Sequence, residues 1–310
     1  MPDLFPRLVE PRLRDATGVA DISAIRQADA RKFGVQLVWY PWNGMTWTTT
    51  LPSVVTVHDL WPFVSPADEQ RKRDREQSHY LRAVESATRF IAVSRFTADE
   101  MVERLKIDRA RIDVIPHGVA RLTIDDVAPA RLPSGDRYVL FVGETEARKD
   151  VATLARAAAL LPQSLRSSIV FVVAGKKQRT MADVFATPGV RFDILGEVSD
   201  GRLASLFAGA SAFVFPSRYE GFGLPVLEAM SYGVPVIASD APAVKEAAGD
   251  AALIFTAGDA AALASALERA LTDVDLSRRL SEAGRARAAS MTVDLCAERT
   301  LEAFGRALAA

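Results

Sequence analysis

The sequence predicts an α/β protein of two successive doubly wound domains, each a parallel sheet covered by helices. Short apolar runs alternate with longer amphipathic stretches along the chain, the pattern of strands joined by crossover helices. That alternation is interrupted once, at residues 121–136, by two prolines, an Asp pair and a Ser-Gly-Asp turn. The 310 residues amount to about two domains of roughly 150 residues, each large enough to bury its own core.

In the first half, strands are expected at Val35–Trp39, Ser53–Val57, Arg89–Val93 and Ile112–Ile115. Their unbroken apolar character suits a parallel sheet buried on both faces. Helices fit at Pro66–Ser86, capped by Ser65 with Pro66 in the opening position, and at Thr97–Leu105, capped by Ser94 or Thr97. After the linker the alternation restarts. Strands are expected at Tyr138–Val142, Ile169–Ala174, Val190–Leu195, Ala212–Phe215, Val236–Ser239 and Ala252–Phe255. Helices fit between them at Asp150–Leu161, Gly201–Phe207, Pro225–Tyr232 and Pro242–Ala247, and the Ala-rich tail Ala260–Ala310 reads as amphipathic helix. The expected domains are residues 1–127 and residues 128–310, the second taking the terminal helices. Two such domains should face each other across a cleft between the carboxyl ends of their strands, where ligands of doubly wound folds bind.

Lys and Arg number 38 against 39 Asp and Glu, a formal charge of -1. Residues 1–127 hold 18 of each sign, leaving 20 basic and 21 acidic for the rest, so neither half is a basic arm. Such balance argues against nucleic acid as a partner, since few counterions would be released on a polyanion. The single cysteine, Cys296, rules out an intrachain disulfide and a Cys-built zinc site, which fits a reducing, cytoplasmic location. No run of about 18 apolar residues exists, and the first fifteen residues lack the apolar core of a secretion signal. Neither a G-x-G-x-x-G turn nor a phosphate-binding G-x-x-x-x-G-K-[ST] loop is present; Gly175-Lys176 has Val170 where that loop needs glycine.

The most informative segment runs from Phe215 to Glu228. A strand ends at Phe215, Glu220 follows in a turn, Gly221 and Gly223 flank Phe222, and Pro225 opens a helix. Glu228 then lies about one turn inside that helix, so both carboxylates can face one pocket. The glycines allow close backbone approach, and a helix N-terminus favours phosphate. Carboxylates suit hydroxyls, because each oxygen accepts more than one hydrogen bond and a charged acceptor makes the stronger bond. A ligand carrying hydroxyls and a diphosphate satisfies every part of this arrangement; a capped, solvated helix end is the plainer alternative.

Glu220 and Glu228 with Gly-Phe-Gly-Leu-Pro between them, followed by Glu-Ala-Met-Ser-Tyr-Gly-Val-Pro-Val-Ile-Ala-Ser, resemble the Glu-x7-Glu signature of the large retaining glycosyltransferase family of GT-B fold. That family includes many bacterial mannosyltransferases of polysaccharide assembly. The segment from Phe141 to Asp150, with Arg148-Lys149, is similar to the family's donor segment, Val114-Ile-Pro-His-Gly118 to its interdomain Ile-Pro-x-Gly, and Val54 to Asp59 to its His-bearing strand end. Lesser echoes run from Val172 to Lys177 and from Lys245 to Asp250. The resemblance covers about residues 50 to 290 in the right order.

By this resemblance, Arg148 and Lys149 clamp a diphosphate, and a guanidinium fork beside an ammonium is suited to that task. Glu228 holds the nucleotide's ribose hydroxyls. Glu220 contacts the transferred sugar and stabilises developing positive charge, while the leaving diphosphate accepts the acceptor's proton. Gly221, Phe222, Gly223 and Leu224 belong to the same donor-binding turn, with backbone donors from the Gly-Phe-Gly run. His58 is expected beside the donor's sugar or diphosphate, Glu220 and His58 being the catalytic candidates, and Gly118, in the hinge-like Pro116-His117-Gly118 turn, is expected among the donor-binding residues. His117 is read as structural and His79 as solvated.

No metal ligand set is expected, Arg148 and Lys149 supplying the positive charge instead, and no cofactor: a nucleotide diphosphate sugar, with GDP-mannose favoured, is the substrate. A glycan or lipid-linked acceptor is implied, with weak peripheral contact at the inner membrane face kept open. Trp39, Trp42, Trp47 and Trp61 fall within 23 residues. They offer either an aromatic platform for an acceptor sugar or its lipid carrier, or ordinary packing. The run Arg71 to Glu76 is read as a solvated helix face. Residues 1–34 lack the family's opening strand and Gly-rich turn, so the amino-terminal domain is expected to be shortened. A sugar-nucleotide-binding remnant without turnover and a GT-B sugar-nucleotide epimerase are the alternatives.

Overall fold

The computed structural model describes residues 35–65, 70–119, 137–176 and 182–310. The linker expected at residues 121–136, the helix opening at Pro66 and residues 1–34 lie outside the described residues.

The chain divides into two compact units, one holding the residues up to Gly118 together with Met291–Ala310, the other Val119–Ser290. In the first, β1 (Val38–Tyr40), β2 (Ser53–Val57), β3 (Arg89–Ala92) and β4 (Ile112–Val114) form a parallel sheet in sequence order. Strand β1 starts later than its apolar run suggests, because the ladder opens where Val38 N–H reaches Pro52 O at 3.0 Å. One sheet face buries Val55, Val57, Phe90, Ala92 and Ile112 against Tyr80, Ala83, Met101 and Leu105. These come from the helices Gln70–Ser86 and Arg95–Leu105, the latter capped by Ser94, whose side chain accepts from Thr97 N–H.

The other face of this sheet corrects the expected domain division. Val54, Ile91 and Ile115 pack against Ala303 and Ala307 of the last helix, Val293–Leu308. Strands buried on both faces need a cover on each side, and for β2 and β3 the chain's final helix supplies it. Asp113 on β4 fastens that helix, pairing with Arg306 at 3.1 Å as well as with Arg89 at 3.0 Å.

The second unit holds β5 (Arg137–Val142), β6 (Ile169–Ala174), β7 (Phe192–Gly196), β8 (Ala212–Phe215), β9 (Val236–Ser239) and β10 (Ala252–Phe255), all parallel, in the order β10-β9-β8-β5-β6-β7. Strand β7 begins at Phe192 because Val190 N–H closes a turn onto Thr187 O instead of joining the ladder. Val139, Phe141, Phe171, Val173 and Val214 face a core completed by the helices Val151–Leu160 and Ala260–Thr272. The alternate residues Leu140, Val172, Phe213 and Phe215 are fully buried too, as two-sided cover requires.

The tail is three helices: Ala260–Thr272, Val274–Ala289 and Val293–Leu308. Asp259, Asp273 and Thr292 each cap the helix that follows. Short helices at Trp61–Val64, Gln163–Ser167 and Ala182–Phe185 have too few residues to show a period and escape sequence reading.

Candidate functional site

In the second sheet β5 and β8 are neighbours, with Val139 opposite Ala212 and Leu140 opposite Phe213. From this pair the chain winds outward in opposite directions, to β6 and β7 on one side and to β9 and β10 on the other. Loops leaving the carboxyl ends of two such strands diverge and open a crevice, the usual ligand position in a doubly wound sheet. The loop after β5 carries Arg148 and Lys149, and the loop after β8 carries Glu220.

Glu220 is buried, 8% exposed. Its Oε1 accepts from Lys149 Nζ at 2.6 Å and its Oε2 from Arg148 Nη1 at 3.2 Å. Lys149 Nζ also stands 5.2 Å from the centroid of the Phe215 ring, within cation–π range. Local structure fixes both cations. Ala147–Lys149 form one 3-10 turn that ends at Asp150, in the left-handed region at φ 48°. The Asp150 carboxylate caps the next helix through Thr153 and takes Arg218 Nε at 2.7 Å. Arg218 N–H in turn donates to Arg148 O at 2.8 Å, so the two loops are joined through both backbone and side chains.

Gly223 precedes the helix Leu224–Ser231 with φ +118°, a conformation that costs glycine little and other residues much. Phe222 is buried at 4% exposure, so its side chain packs the turn, with Gly221 before it and Leu224 opening the helix. Glu228 lies one turn into that helix. Burial, and secondarily the charge of Asp200, push its carboxyl up to about 7.

Arg148, Lys149 and Glu220 are thus brought together, with Glu228 four residues inside the helix that opens at Leu224. Sequence reasoning missed three partners. Glu146 accepts from Arg148 Nε at 2.8 Å, its carboxyl held below the usual range by that guanidinium against the opposing effect of burial. Arg218 braces Asp150 and Asp200 faces Glu228 electrostatically. Only Glu146, two residues from Arg148, had a signal in its position; the others depend on the sheet order.

His58 and Gly118 lie in the first unit. His58 follows β2, and its Nε2 sits 2.8 Å from Pro41 O. A carbonyl only accepts, so this nitrogen carries the proton, and the neutral ring's Nδ1 accepts from His117 Nε2–H at 3.1 Å. Both nitrogens of His58 are therefore engaged within the chain. Burial lowers the pKa of His58, against the raising effects of the Pro41 bond and Asp59; His117 is lowered to about 3 by burial, with His58 adding to it. Gly118 has a structural reason to be glycine: a Cβ there would lie 2.4 Å from Thr292 O. His79 is not simply solvated but half-buried, its Nδ1 3.2 Å from Met45 O.

The tryptophans separate into two kinds. Trp39 donates to Thr56 Oγ1 and meets Phe304 edge-on, and Trp47 meets Tyr40 edge-on, so both pack. Trp42 is 51% exposed. Among the described residues no three His, Cys, Asp or Glu side chains are placed to hold a metal ion, and no helix is long and apolar enough to cross a membrane.

The family description "Glycosyl transferases group 1" matches residues 124–287, and "Glycosyltransferase Family 4" matches residues 6–121. The O-antigen chain mannosyltransferase B of Escherichia coli is 30% identical over 267 residues, covering 81% of this chain and 70% of that protein. The serotype-specific mannosyltransferase WbdA of Escherichia coli is 28% identical over 86% of the chain, which spans only 34% of that protein's length. A D-inositol 3-phosphate glycosyltransferase of Nocardia farcinica is 32% identical over 73% of the chain and 54% of its own length. Among solved structures, sucrose-phosphate synthase from Thermosynechococcus elongatus superposes with a TM-score of 0.72 at 22% identity, covering 91% of this chain and 76% of that one. Anabaena HepE, in complex with UDP and glucose, gives 0.68 at 20% identity, covering 82% and 72%.

Two parallel α/β sheets and these likenesses define a glycosyltransferase of GT-B fold. The chain belongs to the glycosyl transferases group 1 family.

Proposed function

We propose that this chain moves a hexose, mannose from GDP-mannose, to a glycan or lipid-linked acceptor with retention of anomeric configuration and without a metal ion. The observation that carries the reading is the junction of Arg148 and Lys149 with Glu220 at the carboxyl ends of β5 and β8. Two cations there can hold a diphosphate in place of a divalent ion and stabilise the charge that builds on it as it leaves. Glu220, held between them, is the group assigned to the transferred sugar. Glu228, one turn into the following helix, suits the ribose hydroxyls as an acceptor. Mannose as the sugar is supported by the mannosyltransferase relatives.

In the proposed step the acceptor oxygen bonds to the anomeric carbon as the bond from that carbon to the diphosphate oxygen breaks. The bonding pair leaves on the diphosphate, which takes the acceptor's proton, and the new bond forms on the face the diphosphate leaves. Since both nitrogens of His58 are committed to Pro41 and His117, a positioning role suits it better than proton transfer.

The test is GDP release from GDP-mannose in EDTA, with and without a lipid-linked acceptor pool, and the anomeric configuration of the product read by NMR. Acceptor-stimulated release and an α product from the α donor are expected. Equal release in both, alongside a GDP-induced rise in melting temperature, would mark a binding protein without turnover; a strict magnesium or manganese requirement would overturn the cation-free reading.

A further inference from the structure

Glu146 stands two residues before Arg148 in the loop after β5, and its Oε2 accepts from Arg148 Nε at 2.8 Å. We infer that Glu146 is a positioning residue for the donor, one that sets the Arg148 guanidinium for the diphosphate before the nucleotide arrives. This rests on the assignment of Arg148 to the diphosphate made above.

A guanidinium is a rigid plane of five N–H donors at the end of a long, flexible stem. Held at one nitrogen it can still turn about that bond; held at two, every donor has a fixed direction. Glu146 holds Nε, and Glu220 Oε2 holds Nη1 at 3.2 Å. The two holds are unequal. Glu220 is shared with Lys149, whose bond to Oε1 is the shorter at 2.6 Å, and Glu220 is itself assigned to the incoming sugar. Glu146 is assigned no donor contact, so its hold persists as the site fills. The backbone here is placed independently of that side chain: Glu146 O accepts from Lys149 N–H at 3.0 Å, closing the 3-10 turn, and Arg148 O accepts from Arg218 N–H at 2.8 Å.

A carboxylate near a diphosphate also repels it, so positioning has to outweigh repulsion. The Glu146 side chain is 32% exposed against 18% for Arg148, and water and salt screen its charge from a ligand on the guanidinium. Ordering is not screened. An arginine that must be immobilised at the moment of binding weakens a complex by about three- to tenfold. Glu146 keeps the charge that makes its hold strong. Burial raises its carboxyl, but the hydrogen bond and charge of Arg148 bring it below the usual range, Glu144 and Lys149 acting in the same sense.

The experiment is calorimetric titration of the whole chain in EDTA with GDP and with UDP, the tighter of the two being carried through the variants, each well below its own melting temperature. Glu146→Ala should raise Kd about fivefold or more. Glu146→Gln, whose amide oxygen still accepts from Nε–H, should recover most of that loss and bind within about twofold of the parent. In an Arg148→Met background Glu146→Ala should add less than about twofold, because a residue that acts through Arg148 has nothing left to set. An unchanged or lower Kd in Glu146→Ala would mean that repulsion governs instead. A loss in Glu146→Gln as large as in Glu146→Ala, or one as large without Arg148 as with it, would show that Glu146 does not work through this hydrogen bond. Each of these results overturns the positioning role while the donor site stands. A parent that binds neither GDP nor UDP would overturn the donor-site reading itself, and the positioning role with it.

Discussion

Lys149 Nζ lies 2.6 Å from Glu220 Oε1, though 71 residues separate them in sequence. They meet because β5 and β8 are adjacent at the point where the sheet's winding reverses. The contact joins a residue assigned to the diphosphate with one assigned to the sugar.

A double-mutant cycle on Lys149 and Glu220 measures this contact. Both side chains are largely buried, so removing either alone leaves charge without its full complement. Lys149→Met should cost about 1–3 kcal/mol, Arg148 still holding the other oxygen. Adding Glu220→Gln should cost less than the sum of the singles, a coupling of about 1 kcal/mol or more. Strict additivity in urea unfolding would mean the pair does not interact in solution.

The two glutamates should separate in kinetics. Glu228→Gln should raise the donor's KM by weakening a charge-assisted bond of roughly 1.5–3 kcal/mol. Glu220→Gln should lower kcat by about 100-fold or more while GDP affinity does not fall, because the charge it is assigned to stabilise develops only in the transition state and Arg148 and Lys149 remain for the diphosphate. GDP lacks the sugar and is therefore the clean probe. Equal loss of GDP affinity in both variants would show these roles to be misassigned.

Much of this fold was legible because parallel strands buried on both faces read as unbroken apolar runs; Ser53–Val57, Ile169–Ala174, Ala212–Phe215, Val236–Ser239 and Ala252–Phe255 are found at the expected bounds. The membership of Val293–Leu308 was not legible. Its Ala303 and Ala307 stripe would fit either sheet, and only the uncovered face around Val54 and Ile91 determines which. Glu220, Arg148 and Lys149 stood out by motif, and their mutual contact followed from strand order, which no local pattern encodes. The pairing of His58 with His117 was hidden for the same reason: it spans 59 residues and depends on β2 and the segment after β4 ending together.

Glu228 should make stability depend on pH near neutrality. Its carboxyl titrates about 7 in the folded chain against an ordinary value of 4.5. Below 4.5 it is protonated in both states. As pH rises toward 7 the unfolded chain gains by ionising first, so folding loses stability, and above 7 the penalty is constant. Glu228→Gln never ionises. Relative to the parent it should gain about 1–3 kcal/mol between pH 5 and pH 8, seen as a difference in melting temperature that grows by several degrees. Any constant change from the lost carboxylate cancels between the two pH values, and a difference that stays flat would remove the raised pKa.

His117 should act in the opposite direction and in the acid range. Its folded value is about 3 against 6.5 for an ordinary histidine, so below 6.5 the unfolded chain takes up a proton that the folded chain refuses. Stability is full above 6.5 and falls by about 1.4 kcal/mol per pH unit for this one group as pH drops toward 3. His58, also lowered by burial, adds to the slope in the same sense. His117→Gln keeps a side-chain N–H to offer His58 Nδ1 but binds no proton, so it should flatten the dependence by one proton between pH 6 and pH 4.5. All four tryptophans belong to the first unit, so urea unfolding followed by their fluorescence reports on the unit that holds the pair. Acidic side chains contribute equally to parent and variant and drop out of the comparison. An unchanged slope would mean that His117 takes up its proton in the folded chain as readily as in the unfolded one, and its burial-lowered value would have to be given up.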